Sequence, residues 1–301
     1  MKNLITFLFA FTALPIIACD ICGCGNGSSF FGILPQLHRG FVGVRYGYKS
    51  YASHLTSVNL RSEETFQKAE LWGRFYPVRK LQVLAFVPYF VNRQTLLKTG
   101  DQKTLSGLGD ASVLVNYNVL NTFMDSTTHQ IDHSLLLGGG VKLPTGRYRY
   151  DPLSETDVAN ANFQLGTGSV DVMVNAVYTI RYRQWGINTD ATYKLNGTNS
   201  NRYQFGNRTT VNTSALYFGQ MGGVTLVPNA GIAYENAWRD RDLGVLNTLT
   251  GGYALFATAG IEGYVRNVSM GVNYQKPVVQ NLSNGELRAN SRLNLHLTLL
   301  I

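Results

Sequence analysis

Hydrophobic and polar residues alternate along most of the chain from Arg39 onward. The clearest stretch runs from Ala111 to Val119, where every second residue is apolar and the residues between them are polar except for Leu114. This alternation is typical of a β-strand whose two faces meet different surroundings. We count about twelve such segments of roughly 9 to 15 residues, and roughly 9 to 11 residues suffice for a tilted strand to cross a bilayer. The pattern therefore predicts membrane-spanning strands.

The predicted strands are joined by connectors that alternate between short and long. The strands lie near 42–49, 69–76, 81–91, 111–119, 134–143, 170–178, 185–195, 205–218, 224–234, 253–264, 267–275 and 292–299. Short connectors lie near 77–80, 181–184, 219–222 and 265–267, and long polar ones near 50–65, 92–106, 144–164, 196–203, 236–251 and 277–289. One connector, 121–132, departs from this rule, because it should be a short turn and is longer than its peers.

Short periplasmic turns and long external loops are characteristic of outer-membrane barrels. Lipid also forbids an open sheet edge, so strands of this kind must close on themselves. The predicted fold is therefore all-β, a closed antiparallel transmembrane β-barrel of about twelve strands in the outer membrane of a Gram-negative bacterium. An even number of strands leaves both termini on the periplasmic side.

The start of the chain differs from the rest. An apolar run from Leu4 to Ala18 follows a single basic residue, Lys2, and contains Pro15. The run is shorter than the roughly 20 apolar residues of a membrane anchor helix, so it predicts a secretory signal peptide over 1–18. Residues 19–38 are expected to lie in the periplasm or to enter the lumen, and residues 39–301 to form the barrel. No later segment has the apolar length of a transmembrane helix.

The positions of the charged residues are more informative than their number. Charged residues make up only 15% of the chain, and the net charge of +8 is scattered rather than gathered in a run, which disfavours nucleic-acid binding. In the predicted strands the charged residues share one parity, so they are expected to face the lumen. The candidate lumen-lining residues are Arg45, Glu70, Arg74, Asp110, Asp171, Arg208 and Arg292. Among these, the three arginines Arg45, Arg74 and Arg208 are the ones expected to govern conductance.

Two short motifs resemble a known family. Gly107-Leu-Gly-Asp110 opens one predicted strand, and Gly140-Val-Lys-Leu-Pro-Thr-Gly146 closes the next. With these motifs the sequence resembles a family of outer-membrane channels labelled putative meta-pathway of phenol degradation, whose members are usually described as transporters. The resemblance implies a transporter-like barrel. In physical terms the motifs are structural first, since glycine allows tight backbone at a barrel rim and Pro144 ends strand pairing.

All three cysteines follow the predicted signal peptide, in the sequence Cys19-Asp-Ile-Cys22-Gly-Cys24. Ile16-Ile17-Ala18-Cys19 is similar to a lipobox, which makes Cys19 a lipidation candidate, although Ile16 replaces the usual leucine. Thiolates at Cys19, Cys22 and Cys24 could instead bind one Cu(I) or Zn(II) ion. A disulfide, with Cys19 to Cys22 the more feasible pair, and free thiols are the remaining alternatives. Similar Cys-rich starts in Bacteroidota barrels that resemble this one imply metal-linked transport.

These observations favour a channel or transporter for an unidentified small solute, surrounded by outer-membrane lipid. The cysteines add the hypothesis of a link to metal handling through a periplasmic partner. A non-conducting structural or adhesion barrel with a plugged lumen is the alternative. An outer-membrane hydrolase is less favoured, because none of the five histidines forms a recognisable motif with a nucleophilic serine. His129 and His133 have a metal-ligand spacing on a helix, but here they lie in a predicted turn. The chain is not expected to be an enzyme.

Overall fold

The structure is a computed structural model that describes residues 39–125, 129–149 and 161–301. It is built of β-segments with three short 3-10 helices, Thr122–Met124, Ala161–Phe163 and Ser283–Gly285. The segments are β1 (Phe41–Ser53), β2 (Ser62–Val78), β3 (Leu81–Leu96), β4 (Gln102–Leu108), β5 (Ser112–Asn121), β6 (Ile131–Lys142), β7 (Asp171–Tyr182), β8 (Trp185–Leu195), β9 (Tyr203–Gln204), β10 (Arg208–Tyr217), β11 (Gly219–Met221), β12 (Val224–Ala237), β13 (Arg241–Asp242), β14 (Val245–Leu246), β15 (Gly252–Val265), β16 (Val268–Leu282), β17 (Leu287–Ala289) and β18 (Arg292–Leu300).

These segments form a closed barrel of twelve antiparallel strands, as the sequence predicts. Each barrel strand pairs with its neighbours in the sequence, and the last strand returns to the first, with Phe41 opposite Leu300 and Tyr48 opposite Leu293. Three of the twelve strands are interrupted: β4 continues as β5, β10 as β11 and β17 as β18. Closure satisfies the backbone hydrogen bonds that lipid could not satisfy. The predicted fold class and strand number are confirmed.

The two ends of the barrel differ in their connectors. At one end, here called the turn end, the strands are joined by two-residue turns at 79–80, 183–184, 222–223 and 266–267, and by the longer connector 122–130. The other end, here called the loop end, carries the connectors 54–61, 97–101, 143–170, 196–207, 238–251 and 283–286. The first barrel strand starts, and the last one ends, at the turn end. This end is therefore periplasmic and the loop end external.

The predicted bounds of several long connectors are wrong. Large parts of 50–65, 92–106 and 277–289 are strand, because β2 begins at Ser62, β3 ends at Leu96 and β16 ends at Leu282. The strands continue past the apolar band of the membrane, where side chains facing outward no longer need to be apolar but backbone pairing persists. The alternation of apolar residues stops before the hydrogen bonds do.

The two faces of the strands have the predicted character. In β5, Val115 and Tyr117 are 40% and 51% exposed on the outer face, whereas Asn116 between them is 1% exposed on the inner face. The apolar row on the outside meets lipid, and the polar row lines the lumen. Leu114, which interrupts the polar row in the sequence, lies inside the barrel as well.

A small second sheet lies at the loop end. It consists of β9, β13 and β14, and it joins the connectors 196–207 and 238–251. Within the described ranges, no helix is long and apolar enough to cross a membrane.

Candidate functional site

The lumen holds most of the charged residues singled out in the sequence. Glu70, Asp171 and Arg292 are at most 2% exposed, and Arg45, Arg74 and Asp110 are also buried, while Arg208 is only partly buried. The structure brings Arg45 together with Glu70, Asp110 with Asp171 through Lys142, and Arg292 with Glu235. The Arg74 guanidinium lies 4.8 Å from the centre of the Phe41 ring, and Arg208 lies at the start of β10.

The half of the lumen nearest the turn end combines charge with an apolar cluster. Arg45 donates from Nε to Glu70 at 2.8 Å and makes a second contact through Nη2, and Lys68 contacts the same carboxylate at 3.0 Å. The Arg45 guanidinium also lies 4.9 Å from the centre of the Trp72 ring. The turn-end cluster is Phe41, Trp72, Leu84, Phe86, Leu114, Met173 and Leu300. The contact with the ring face and the ion pair with the carboxylate together offset the cost of burying the Arg45 cation.

A small cavity adjoins the turn-end cluster. It has a volume of about 20 Å³ and is lined by Phe41, Trp72, Arg74, Glu262, Tyr264, Ser269, His296, Thr298 and Leu300. This is room for about one water molecule, which needs roughly 10–15 Å³. Trp72 is 2% exposed, and its indole N–H has no hydrogen-bond partner among the described residues. One lining residue of the cavity therefore carries a buried donor.

The half nearest the loop end holds a second and larger apolar cluster. The loop-end cluster is Tyr51, Phe66, Phe163, Ala233, Ala237, Ala254, Phe256, Leu282, Leu287 and Ala289. Beside it, Arg292 donates to both oxygens of Glu235, at 2.6 and 3.1 Å, and to the Tyr51 hydroxyl at 3.0 Å. The Arg292 guanidinium lies 3.9 Å from the centre of the Phe256 ring. A bidentate contact of this kind fixes the orientation of the guanidinium plane within the barrel.

Part of the connector between β6 and β7 folds into the barrel. Residues Ala161 to Thr167, here called the inner segment, are all buried. Phe163 packs edge-on against Phe66 with ring centres 5.7 Å apart, and its carbonyl accepts a hydrogen bond of 2.8 Å from the Asn92 side chain. Asn199 holds the carbonyl of Thr167 at 3.0 Å. The inner segment therefore narrows the lumen at the loop end.

The two family motifs meet at the base of the inner segment. Asp110 accepts hydrogen bonds from the backbone N–H groups of Gly146 and Thr167, at 2.9 and 2.8 Å, and forms an ion pair with Lys142. A Cβ at Gly146 would lie 2.9 Å from the Asp110 carboxylate, so this close approach requires glycine. Lys142 also lies 3.1 Å from Asp171. The motifs thus form a buried clasp that joins β5, β6 and the inner segment.

Sequence reasoning missed the inner segment, because the connector 144–164 was expected to be external. The available signal was the uncharged run Ala159-Asn-Ala-Asn-Phe-Gln-Leu165, which is unusual for an external loop. It also missed the lumenal aromatic residues Trp72, Phe66 and Phe256. Each of them occupies a position of the inward parity, which was expected to be polar.

No group of three metal-binding side chains occurs among the residues that the structure describes. Cys19, Cys22 and Cys24 lie outside those residues. His129 contacts Asp125 at 3.2 Å, and His133 contacts the Tyr178 hydroxyl at 2.7 Å. Both histidines lie at the turn end, away from the charged groups of the lumen.

Comparison with known proteins places the barrel in a family. A crystal structure of an outer membrane channel from Pseudomonas putida F1 is 14% identical, with 87% of this chain and 96% of that one covered and a TM-score of 0.62. The β domain of the Bordetella autotransporter BrkA is 9% identical, with 87% and 100% covered and a TM-score of 0.54. These likenesses concern the fold. No curated protein matches in sequence. The family described as "Putative MetA-pathway of phenol degradation" matches residues 63–274, which is more than half of the chain, and this outer-membrane β-barrel belongs to it.

Proposed function

We propose that the protein is a passive channel that moves a small organic solute across the outer membrane. The observation that carries the proposal is the lumen itself, in which charged side chains neutralise one another beside aromatic rings. Arg45 with Glu70 and Arg292 with Glu235 are the main examples. A lumen of this kind suits a solute with both polar and apolar parts. The channel named in the Pseudomonas structure and the family assignment support the same interpretation.

At the turn end, we expect opening to involve local movement of side chains. The described residues that fill the lumen there belong to the barrel strands, with Arg74 lying 4.8 Å from the centre of the Phe41 ring and the small cavity next to both. Side chains change rotamer in nanoseconds where they are exposed and more slowly where they are packed. At the loop end, the inner segment must shift as well. We expect this end to limit the rate of passage.

The test is swelling of proteoliposomes that contain the folded, heat-modifiable protein. We expect swelling in arabinose to be faster than swelling in sucrose, because the narrow lumen excludes larger solutes. Arg45→Gln should change the rate, since Arg45 lines the lumen. Val113→Leu, on the outer face, is the control and should leave it unchanged. Absence of swelling in every solute would reject the channel.

The second candidate function is a non-conducting barrel with a plugged lumen. The observation that favours it is the packing at the loop end, where Phe163, Phe256 and Tyr51 are fully buried. A folded protein that gives no swelling, even when the inner segment is shortened, would support this structural role.

A link to metal handling and lipidation of Cys19 stay predictions of the sequence. Titration with Cu(I) or Zn(II) of the wild type and of a Cys22→Ser, Cys24→Ser variant tests the first. Equal stoichiometry in both proteins would reject it. Mass spectrometry of the mature N-terminus tests the second, because acylation adds a mass that free Cys19 lacks.

A further inference from the structure

A cavity of about 600 Å³ opens at the loop end of the barrel. It lies between the connectors 196–207 and 238–251. Its lining residues are Gln204, Phe205, Gly206, Asn207, Asn236, Ala237, Trp238, Arg239, Arg241, Leu246 and Gly252. Cavities that bind small molecules usually measure roughly 300 to 1,000 Å³. The size therefore suits a small organic ligand.

The walls of this external cavity are held in place by one buried carboxylate. Asp240 is 2% exposed and accepts hydrogen bonds of 2.6 Å from both the Tyr203 hydroxyl and the Gly206 backbone N–H. A Cβ at Gly206 would lie 1.8 Å from the Trp238 carbonyl oxygen, so the two connectors touch at a point where only glycine fits. The cavity is thus formed before any ligand arrives, which lowers the entropy lost on binding.

The same arrangement places two cations at the cavity. Side chains alternate along extended backbone, so the inward position of Asp240 leaves Arg239 and Arg241 on the opposite side, where both are exposed. Arg239 makes one long hydrogen bond of 3.5 Å to Asn284. The Arg241 guanidinium has no hydrogen bond or ion pair to any described residue, and none of the described lining residues is acidic. The cavity therefore favours an anion.

Aromatic and apolar surface completes the site. Trp238 is 61% exposed and Leu246 is 46% exposed at the cavity, while Phe205 forms its buried floor. An exposed indole beside guanidinium groups recognises a flat apolar body that carries a negative charge. Ala237 belongs to both this cavity and the loop-end cluster, and Phe205 packs against Ala161 of the inner segment. The cavity thus adjoins the part of the lumen that the inner segment narrows.

We propose that this external cavity is a binding site for a small aromatic carboxylate, which it holds at the outer mouth of the barrel. The role of this site rests on the proposed channel function, because a capture site raises the local concentration of solute at the entrance of a channel. The carboxylate accepts hydrogen bonds from Arg239 and Arg241, and the ring packs against Trp238. Binding itself requires no conduction.

The test is a fluorescence titration of the full-length folded protein in detergent at constant ionic strength. Trp185→Phe removes the exposed tryptophan of the turn end, so that Trp238 becomes the only exposed one of the three. We expect saturable quenching by benzoate. Benzyl alcohol, which lacks the charge, and inorganic phosphate, which lacks the ring, should each bind at least about tenfold more weakly.

The decisive comparison uses two double variants, each of which removes two positive charges. Arg239→Gln, Arg241→Gln should weaken benzoate binding by about tenfold or more, since charge-assisted hydrogen bonds are lost. Arg79→Gln, Arg266→Gln removes two exposed cations from the turn end and should leave binding unchanged. All four arginines are exposed, so folding is preserved in both proteins.

Equal benzoate affinity in the two double variants, or phosphate binding as tight as benzoate binding, would overturn the proposal. Quenching that does not saturate would do the same. The result is independent of the swelling test: swelling without benzoate binding rejects the capture site alone, and benzoate binding without swelling rejects the channel alone.

Discussion

At the loop end of the lumen a connector supplies part of the filling, whereas at the turn end the described residues that fill the lumen are side chains of the strands. Phe163 of the inner segment packs into the loop-end cluster, and Lys142 and Asp110 anchor the segment from below. The turn-end cluster has no such insert among the described residues, and it retains a cavity and the unpartnered N–H of Trp72. In the proposed channel, we therefore expect the loop end to open by movement of the inner segment and the turn end by movement of side chains.

Breaking the clasp should have the largest effect on stability. Lys142→Met leaves Asp110 buried without its cation, while Asp171 keeps Lys194 at 3.6 Å. We expect the free energy of unfolding to fall by roughly 3–5 kcal/mol, because Asp110 becomes an uncompensated buried charge. Urea titration in detergent measures the loss. Lys98→Met, at an exposed lysine bonded to Asn59, is the control and should change little. Comparable stability of the two variants would show that the clasp does not hold the barrel together.

The next prediction compares the stability that is lost when an ion pair is broken at each end of the lumen. Arg292→Met removes both donors to Glu235 and one to Tyr51, so we expect a loss of about 3 kcal/mol in the free energy of unfolding. Arg45→Met should cost less, about 1–2 kcal/mol, because Lys68 remains 3.0 Å from the Glu70 carboxylate. Equilibrium unfolding in urea measures both losses.

Arg288→Met is the control for this comparison, since Arg288 is exposed in β17. A larger cost for Arg45→Met than for Arg292→Met would contradict the difference between the ends. It would mean that Lys68 does not compensate at Glu70.

The smallest expected effect concerns pH at the loop end. Hydrogen bonds from the Thr56 side chain and backbone N–H lower the pKa of Glu286, which ties the connector 54–61 to the connector 283–286. A lowered pKa means that this contact stabilises the fold fully above the ordinary glutamate pKa and is lost as the pH falls through the lowered value. We expect faster amide hydrogen exchange at Thr56 in acid, after correction for intrinsic exchange rates.

Glu286→Gln should show the fast exchange at Thr56 already at neutral pH. Exchange at Thr56 that is as slow in Glu286→Gln as in the wild type would refute the assignment. Amide exchange in the turns at the turn end should respond neither to acid nor to Glu286→Gln.

The sequence predicted the barrel well because lipid imposes its own pattern. Val113, Val115 and Tyr117 must be apolar wherever the strand meets the membrane, so their alternation reveals the strand. Strand ends were predicted less well. Ser62 and Leu96 lie beyond the apolar band, where hydrogen bonding alone defines the strand.

The lumen was harder to predict, because no solvent imposes a pattern there. Charged residues of the inward parity were placed in the lumen, but their partners depend on register, as with Arg45 opposite Glu70. Arg292 and Glu235 belong to strands that are not paired with each other, so no local pattern joins them. The inner segment depends on the folding of a long connector, about which alternation says nothing.

Planar-bilayer recording of the wild type and of Phe163→Ala tests the central claim most directly. Removing the Phe163 ring empties space next to Phe66 without touching the clasp, so the loop end should become wider. We predict channel conductance from the wild type and a conductance increase of at least about twofold from the variant, with heat-modifiable folding retained. Silence from both folded proteins would contradict conduction through the lumen, and equal conductance would contradict closure by the inner segment.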